Sequence, residues 1–145
     1  LPVSVLIVPF MFLLFIYRNS TKYLIHDYIS IMLNKQPKDD DRYRWTNHVK
    51  GKLLQYRLSE SLVKRVVRSP KRTEEGIAPA TIAVMIPTVS KRPSEIWVMY
   101  KKDRYQKVII SAWRYPGTTP VGKKITIPND VMEELERWLS KGKIL

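Results

Sequence analysis

His48 is the residue of this sequence best suited to move a proton near neutral pH, because histidine alone has an unperturbed pKa in that range. Lys52 and Gln55 follow it at helical spacing, so the three side chains share one side of a helix. An imidazole beside an ammonium can bind an anion, or transfer a proton while the ammonium neutralises charge. The alternative is a set of solvated surface side chains. His26 is the other histidine, and it lies far away in the sequence.

The helix that would position these side chains is predicted from its apolar residues. Val49, Leu53 and Tyr56 recur at i, i+4 and i+7, so they form one buried face. Thr46 or Asn47 can cap the first backbone amides of this helix. The chemistry-bearing side chains then lie on the neighbouring face.

The composition narrows the possible functions. There is no cysteine, which excludes disulfides, a thiolate nucleophile and a cysteine-ligated zinc site. Two histidines far apart in sequence do not suggest a histidine-rich metal site. We therefore expect no bound metal.

The charge is strongly positive, with 26 Lys and Arg against 13 Asp and Glu. Basic and acidic residues balance over residues 1–41, so the whole excess of +13 lies on residues 42–145. A positive field of this size attracts polyanions, of which nucleic acid is the commonest. An anionic membrane surface and a merely soluble basic surface are the alternatives.

The N-terminal part differs from the rest of the chain. Residues 1–17 are uncharged but short for a membrane span, and Pro9 interrupts them. We interpret residues 1–33 as an apolar and amphipathic segment, which is either a membrane anchor or absent from the mature protein. Residues 34–41 read as a polar linker. The expected location is cytoplasmic, or membrane-anchored with the body on the cytoplasmic side.

Residues 42–145 are predicted to form one basic α+β domain. The His48 helix comes first, and a second short helix follows, with Ser59 or Ser61 as its cap and its end at Pro70. Residues 71–79 are predicted to form a loop. Three strand-like runs follow, and Asn129 is expected to cap a last helix. We predict two N-terminal helices packed on a three- to four-stranded antiparallel sheet, with a C-terminal helix. The predicted strands are residues 81–86, 95–101 and 107–113, of which 95–101 is the central one.

Short motifs in this domain resemble a known family. The helix reads His48-Val-Lys-Gly-Lys52-Leu, and Leu58-Ser59 precedes a Val-rich helix that ends near Ser69-Pro70. This order is similar to the small domains with a His-Ala-x-x-Arg-Met helix, which are related to BrnT- and RelE-type endoribonuclease toxins. The strand Lys107-Val-Ile-Ile-Ser111-Ala-Trp-Arg114 also resembles a BrnT-type strand that ends Ile-Ser-Ala-Arg, with Trp113 as an extra residue before Arg114. Lys52 stands where the family pattern has arginine.

The resemblance implies metal-independent RNA cleavage without a cofactor. In that reaction a ribose 2′-oxygen attacks the adjacent phosphate, and protons are exchanged with a general base and a general acid. The family further implies a separately encoded antitoxin protein as a partner.

The site residues follow from this resemblance. His48 would be the general acid or base, while Lys52 and Arg114 would neutralise phosphate oxygens. Tyr100 would stack on RNA or donate its hydroxyl, although half-buried core is the commoner role for such a tyrosine. Ser111 and Arg114 lie on opposite faces of a regular strand, so without a bulge only one can serve, and Arg114 is preferred. Five further basic residues are candidates for nucleic-acid contact: Lys50, Arg57, Lys101, Lys102 and Arg104.

Three functions from different classes remain open at this stage. The leading expectation is a toxin-like endoribonuclease that acts on RNA. The second is a non-catalytic RNA- or DNA-binding module with a basic surface. The third is a membrane-tethered basic domain, which requires residues 1–17 to be translated and inserted.

Overall fold

A computed structural model describes residues 36–141, apart from the side chain of Trp138. These residues have an α+β fold with three helices and a five-stranded mixed sheet. Within them, no helix is long and apolar enough to cross a membrane. Predictions for residues 1–33 lie outside the described residues. The elements in chain order are β1 (Tyr43–Trp45), α1 (Asn47–Tyr56), α2 (Glu60–Arg68), β2 (Arg72–Glu75), β3 (Thr81–Pro87), β4 (Ser94–Asp103), β5 (Gln106–Pro116) and α3 (Asn129–Ser140).

The sheet has the strand order β1-β5-β4-β3-β2. Strands β3, β4 and β5 form an antiparallel meander, and β4 lies at the centre of the sheet, as its continuous apolar run predicts. The sheet nevertheless differs from the predicted one in two ways. β1 pairs with β5 in parallel, which makes the sheet mixed. β2 lies within the segment predicted as a loop and pairs with β3. Its polar sequence is compatible with a strand because β2 lies at the edge of the sheet, where every second residue is exposed.

The two N-terminal helices begin at hydroxyl caps. Thr46 accepts a hydrogen bond from the Val49 amide at the start of α1, and Ser59 accepts one from the Leu62 amide at the start of α2. Arg57 ends α1 in the left-handed conformation, with φ of 53°. Both caps confirm the sequence prediction.

α3 begins differently from the prediction. Asn129 is its first helical residue, whereas Pro128 occupies the N-cap position and provides no side-chain hydrogen bond. The φ of Pro128 is −57°, the value that its ring imposes, and the helix therefore begins without a side-chain cap.

Two hydrophobic clusters lie on opposite faces of the sheet. One joins α1 and α2 to the sheet around Val63, Val66 and Val98. The other joins α3 to the sheet through Val131 and Leu135. The sheet residues of this second cluster include Ala83, Met85, Trp97, Met99, Ile110 and Trp113.

A β-bulge in β5 determines which side chains face α3. Tyr100 pairs with Ile109 and Met99 pairs with Ser111, so Ile110 is the extra residue between them. Ser111 consequently shares the face of Met99, which belongs to the α3 cluster. Arg114 pairs with Ile96, which belongs to the cluster of α1 and α2.

A buried polar contact anchors the segment between β5 and α3. The Glu95 carboxylate is 3% exposed and accepts hydrogen bonds from the amide and hydroxyl of Thr119 at 3.0 and 2.7 Å. The Trp97 indole also donates to Glu95, at 2.9 Å. Arg72 donates to the Thr119 hydroxyl and to the Pro120 carbonyl, both at 2.9 Å. These bonds attach the chain to the sheet before α3 begins.

Candidate functional site

His48 belongs to α1, and its side chain contacts β5 and α3 and is only 6% exposed. Its Nε2 atom is 2.9 Å from the Ser111 hydroxyl, and its Nδ1 atom is 2.9 Å from Glu134 Oε2. The α1 helix carries the imidazole, and the bulge in β5 turns Ser111 towards it. The structure therefore joins a hydroxyl, an imidazole and a carboxylate from three elements.

The protonation of the imidazole follows from these partners. Burial lowers the pKa of His48 below 6.5, although the nearby Glu134 charge partly opposes this, so the ring is neutral at pH 7. A carboxylate can only accept a hydrogen bond, so Nδ1 carries the proton and donates to Glu134. Nε2 then accepts a hydrogen bond from Ser111. The acceptor nitrogen thus faces a fully buried hydroxyl, whereas the donor nitrogen faces Glu134, whose side chain is 42% exposed.

Lys52 is the most buried charged residue of this cluster, at 1% exposure. Its ammonium donates to Gln55 Oε1 and Asp130 Oδ2 at 2.9 Å and to Glu134 Oε1 at 3.0 Å. All three ammonium hydrogens therefore have acceptors. Desolvating a lysine is costly, and the two carboxylates of α3 offset that cost.

The carboxylates of α3 are held ionised by the same contacts. Burial raises the pKa of Asp130, but hydrogen bonds from Lys52, Gln55 and Tyr56 outweigh it and lower that pKa to about 2. Burial likewise raises the pKa of Glu134, but the hydrogen bond from Lys52 and the neighbouring positive charge outweigh it, so this pKa lies below 4.5. The Tyr56 hydroxyl donates to both oxygens of Asp130 at 3.0 and 3.1 Å, and burial raises its own pKa.

The structure brings His48 and Lys52 together but not the other two residues predicted for the same site. Arg114 lies on the opposite face of β5 from Ser111, so the preference for Arg114 over Ser111 beside His48 is not supported by the geometry. Tyr100 is 7% exposed in the cluster of α1 and α2, with the Lys107 ammonium 5.7 Å from its ring centroid. Burial raises the pKa of Tyr100.

Three of the predicted nucleic-acid contacts lie on one hairpin. β4 carries Lys101 and Lys102, and Arg104 is the first residue of the two-residue turn before β5. Arg104 has φ of 51° and is exposed, as is Lys102. The other two candidates are on α1 and at its end, where Lys50 is half-buried and Arg57 is exposed.

Sequence reasoning missed Asp130, Glu134, Tyr56 and Tyr105 as candidate site residues. The first two are in α3, about eighty residues from Lys52, and acidic residues on a helix are normally solvated. Tyr56 was assigned to the apolar face, although its hydroxyl reaches Asp130. Tyr105 is 95% exposed at the hairpin turn. A lone aromatic residue inside a basic run was the available signal for it.

An open cleft of about 510 Å³ lies elsewhere, between β2, residues 122–125 and Met132 of α3. None of the predicted site residues line it. Among residues 36–141, no group of three or more acidic or histidine side chains could hold a metal ion.

Comparisons of this chain with protein-family models, with curated proteins and with solved structures find no match. The geometry of this molecule is therefore the main guide to its function. That geometry offers a buried lysine with two partly exposed carboxylates and an exposed basic hairpin that carries an aromatic ring.

Proposed function

We propose that this domain binds single-stranded RNA and that the β4–β5 hairpin is its main contact surface. The observation that carries the proposal is the exposed ring of Tyr105, which projects from a two-residue turn between basic strands. Bases stack on exposed aromatic rings, and this requires unpaired bases whose faces are accessible. The preference for RNA over DNA comes from the sequence resemblance.

The charges of the hairpin support the same proposal. Lys102 and Lys107 are directly paired across β4 and β5. Two like charges opposite each other destabilise a hairpin, and a phosphate between them would remove that repulsion. Arg104 adds a third cation beside Tyr105. The arrangement combines phosphate neutralisation with base stacking, which is how single-stranded nucleic acids are generally bound.

The proposal is tested by fluorescence anisotropy of a labelled RNA oligomer with the full chain. Tyr105→Ala is expected to weaken binding about tenfold, which matches the loss of one stacked base, while Tyr105→Phe keeps the affinity. Lys102→Gln is expected to reduce the slope of log K against log salt by about one. Lys123→Gln removes one exposed lysine from another segment and is the charge control. Equal affinity of the Tyr105→Ala and parent proteins would remove the stacking assignment.

A toxin-like endoribonuclease is the second candidate, and the contact of His48 with both Ser111 and Glu134 favours it. Cleavage transfers the 2′-hydroxyl proton to a base, forms the bond from O2′ to phosphorus and breaks the bond to O5′. The products are a 2′,3′-cyclic phosphate and a 5′-hydroxyl. Because Nε2 faces buried Ser111, the Nδ1–H of a protonated His48 would serve as the proton donor to O5′ after Glu134 has moved aside. A separately encoded antitoxin belongs to this candidate.

Cleavage is tested by incubating the full chain with RNA in a metal chelator. In this candidate His48→Gln lowers the cleavage rate by about 10²–10⁴ and leaves RNA binding nearly unchanged. Equal rates in the parent and this variant would end the catalytic assignment of His48. Binding without cleavage of any RNA, including ribosome-bound message, would leave the binding function alone.

A further inference from the structure

The Glu134 carboxylate is bound in the way that an oxyanion ligand would be bound. Its two oxygens have different partners: Oε2 faces His48 Nδ1 at 2.9 Å, and Oε1 faces Lys52 Nζ at 3.0 Å. Both donors are almost completely buried, whereas Glu134 itself is 42% exposed. The donors thus belong to the body of the domain, and the acceptor reaches them from the surface.

We propose that His48 and Lys52 form a second binding site, for a phosphodiester group, which the Glu134 side chain occupies and from which it can be displaced. Two oxygens of a phosphodiester can take the places of the two carboxylate oxygens, since both groups present paired acceptors to separate donors. The assignment of RNA as the source of that phosphodiester rests on the proposed function. The site itself does not.

Displacement requires movement of a side chain rather than of the helix. Val131 and Leu135 are at most 1% exposed against the sheet, so detaching α3 would expose a large apolar area. Glu134 instead can rotate into solvent from its exposed position, while Asp130 and Gln55 continue to accept from the Lys52 ammonium. The buried cation therefore keeps two of its three partners when the carboxylate leaves.

The charge of the site selects a monoanion. Lys52 contributes one positive charge, His48 is neutral, and the Asp130 carboxylate remains 2.9 Å from the ammonium. A phosphodiester carries a single negative charge, as does the carboxylate that it replaces. A dianion such as sulfate would lose more hydration on entering a buried site that holds only one cation.

The site is tested with dimethyl phosphate, a phosphodiester monoanion, and three full-length proteins at constant ionic strength. Glu134→Ala empties the site, and Glu136→Ala removes an exposed carboxylate of the same helix, so both variants gain the same charge. Dimethyl phosphate at about five times its Kd is expected to raise the Tm of Glu134→Ala by about 4 °C. The parent and Glu136→Ala proteins should respond much less, and sulfate should be weaker than dimethyl phosphate on Glu134→Ala. An equal response of all three proteins to dimethyl phosphate, or none, would overturn the proposal.

Nuclear magnetic resonance of the His48 ring nitrogens gives a second measurement, in case Glu134→Ala does not fold. Glu134→Gln keeps the shape of the side chain but removes the charge that competes with the ligand. Dimethyl phosphate is expected to shift the Nδ1 signal of His48 in this variant, with the signal assigned from its loss in His48→Gln. An Nδ1 signal that does not move would overturn the site.

Measurements of RNA binding then distinguish a failure of this site from a failure of the proposed RNA-binding function. Glu134→Ala is expected to bind RNA about threefold or more tightly than Glu136→Ala, because both have equal charge and only the first exposes the donors. If dimethyl phosphate binds Glu134→Ala but RNA binds none of the proteins, the site stands and the RNA-binding function fails. If RNA binds and the Glu134 and Glu136 variants have equal affinity, RNA binds elsewhere, and displacement of Glu134 by RNA is refuted.

Discussion

Two helices, α2 and α1, each place a lysine between two carboxylates, but at very different depths. On α2, Lys64 contacts Asp40 at 2.9 Å and Glu60 at 2.7 Å, and its side chain is 24% exposed. On α1, Lys52 contacts Asp130 and Glu134 with only 2% exposure. The same chemical triad is therefore a surface contact in one place and a buried contact in the other.

This difference determines what each triad can do. Around Lys64, water already solvates the charges, so the pairs contribute little to stability and select no ligand. Around Lys52, the cation cannot be solvated in place and always needs oxygen acceptors. A buried cation with a partly exposed acceptor is suited to exchange that acceptor for an external anion, which the Lys64 triad cannot do.

The largest expected effect comes from removing the carboxylate charges of each triad. Asp130→Asn with Glu134→Gln is expected to lower the free energy of unfolding by about 2 kcal/mol, because Lys52 stays buried without a counter-charge. The matched pair around Lys64, Asp40→Asn with Glu60→Gln, should cost less than about 1 kcal/mol. Urea unfolding at pH 7 measures both. Equal losses of unfolding free energy would show that the burial of Lys52 makes no energetic difference between the two triads.

A smaller effect on the free energy of unfolding is expected from substituting the two stacked tryptophans on the α3 face of the sheet. Their ring centroids are 6.2 Å apart. The Trp97 indole donates to buried Glu95, whereas the Trp113 indole nitrogen is buried without a partner. Trp97→Phe removes a charged hydrogen bond and should therefore cost about 1.5 kcal/mol more than Trp113→Phe. Paired urea titrations of the two variants measure this difference. A costlier Trp113→Phe would contradict the assignment of Glu95 as an anchor.

The smallest expected effect is a pH dependence of stability that comes from His48. The pKa of His48 is lowered below 6.5 on folding, so the unfolded chain takes up this proton first as the pH falls. Stability should then decline from about pH 6.5 downwards, by at most about 1.4 kcal/mol per pH unit. Unfolding at pH 7, 6 and 5 measures the decline, and His48→Gln should abolish it.

The carboxylates titrate in a separate window. The pKa values of Asp130 and Glu134 are lowered on folding, so their contribution is complete above about pH 4.5 and is lost as the pH falls further. The His48→Gln protein should keep this acidic loss. A decline between pH 6.5 and 5 that survives in His48→Gln would assign it to another group.

The sequence by itself determined the features that depend on neighbouring residues. The 3.6-residue period placed α1, and the hydroxyls of Thr46 and Ser59 marked where α1 and α2 begin, because a cap acts on amides three residues away. Runs of β-branched and aromatic residues predicted β3, β4 and β5 and their antiparallel order. The common face of His48 and Lys52 also followed from helix geometry alone.

Only the tertiary structure decided what those side chains contact. The parallel pairing of β1 with β5 joins residues more than sixty positions apart, and no local pattern encodes that register. The bulge at Ile110 turned Ser111 towards His48, and the packing of α3 brought Glu134 to both His48 and Lys52. Such contacts depend on long-range packing, so the residue types predicted a possible anion site and the fold determined that a carboxylate of the chain occupies it.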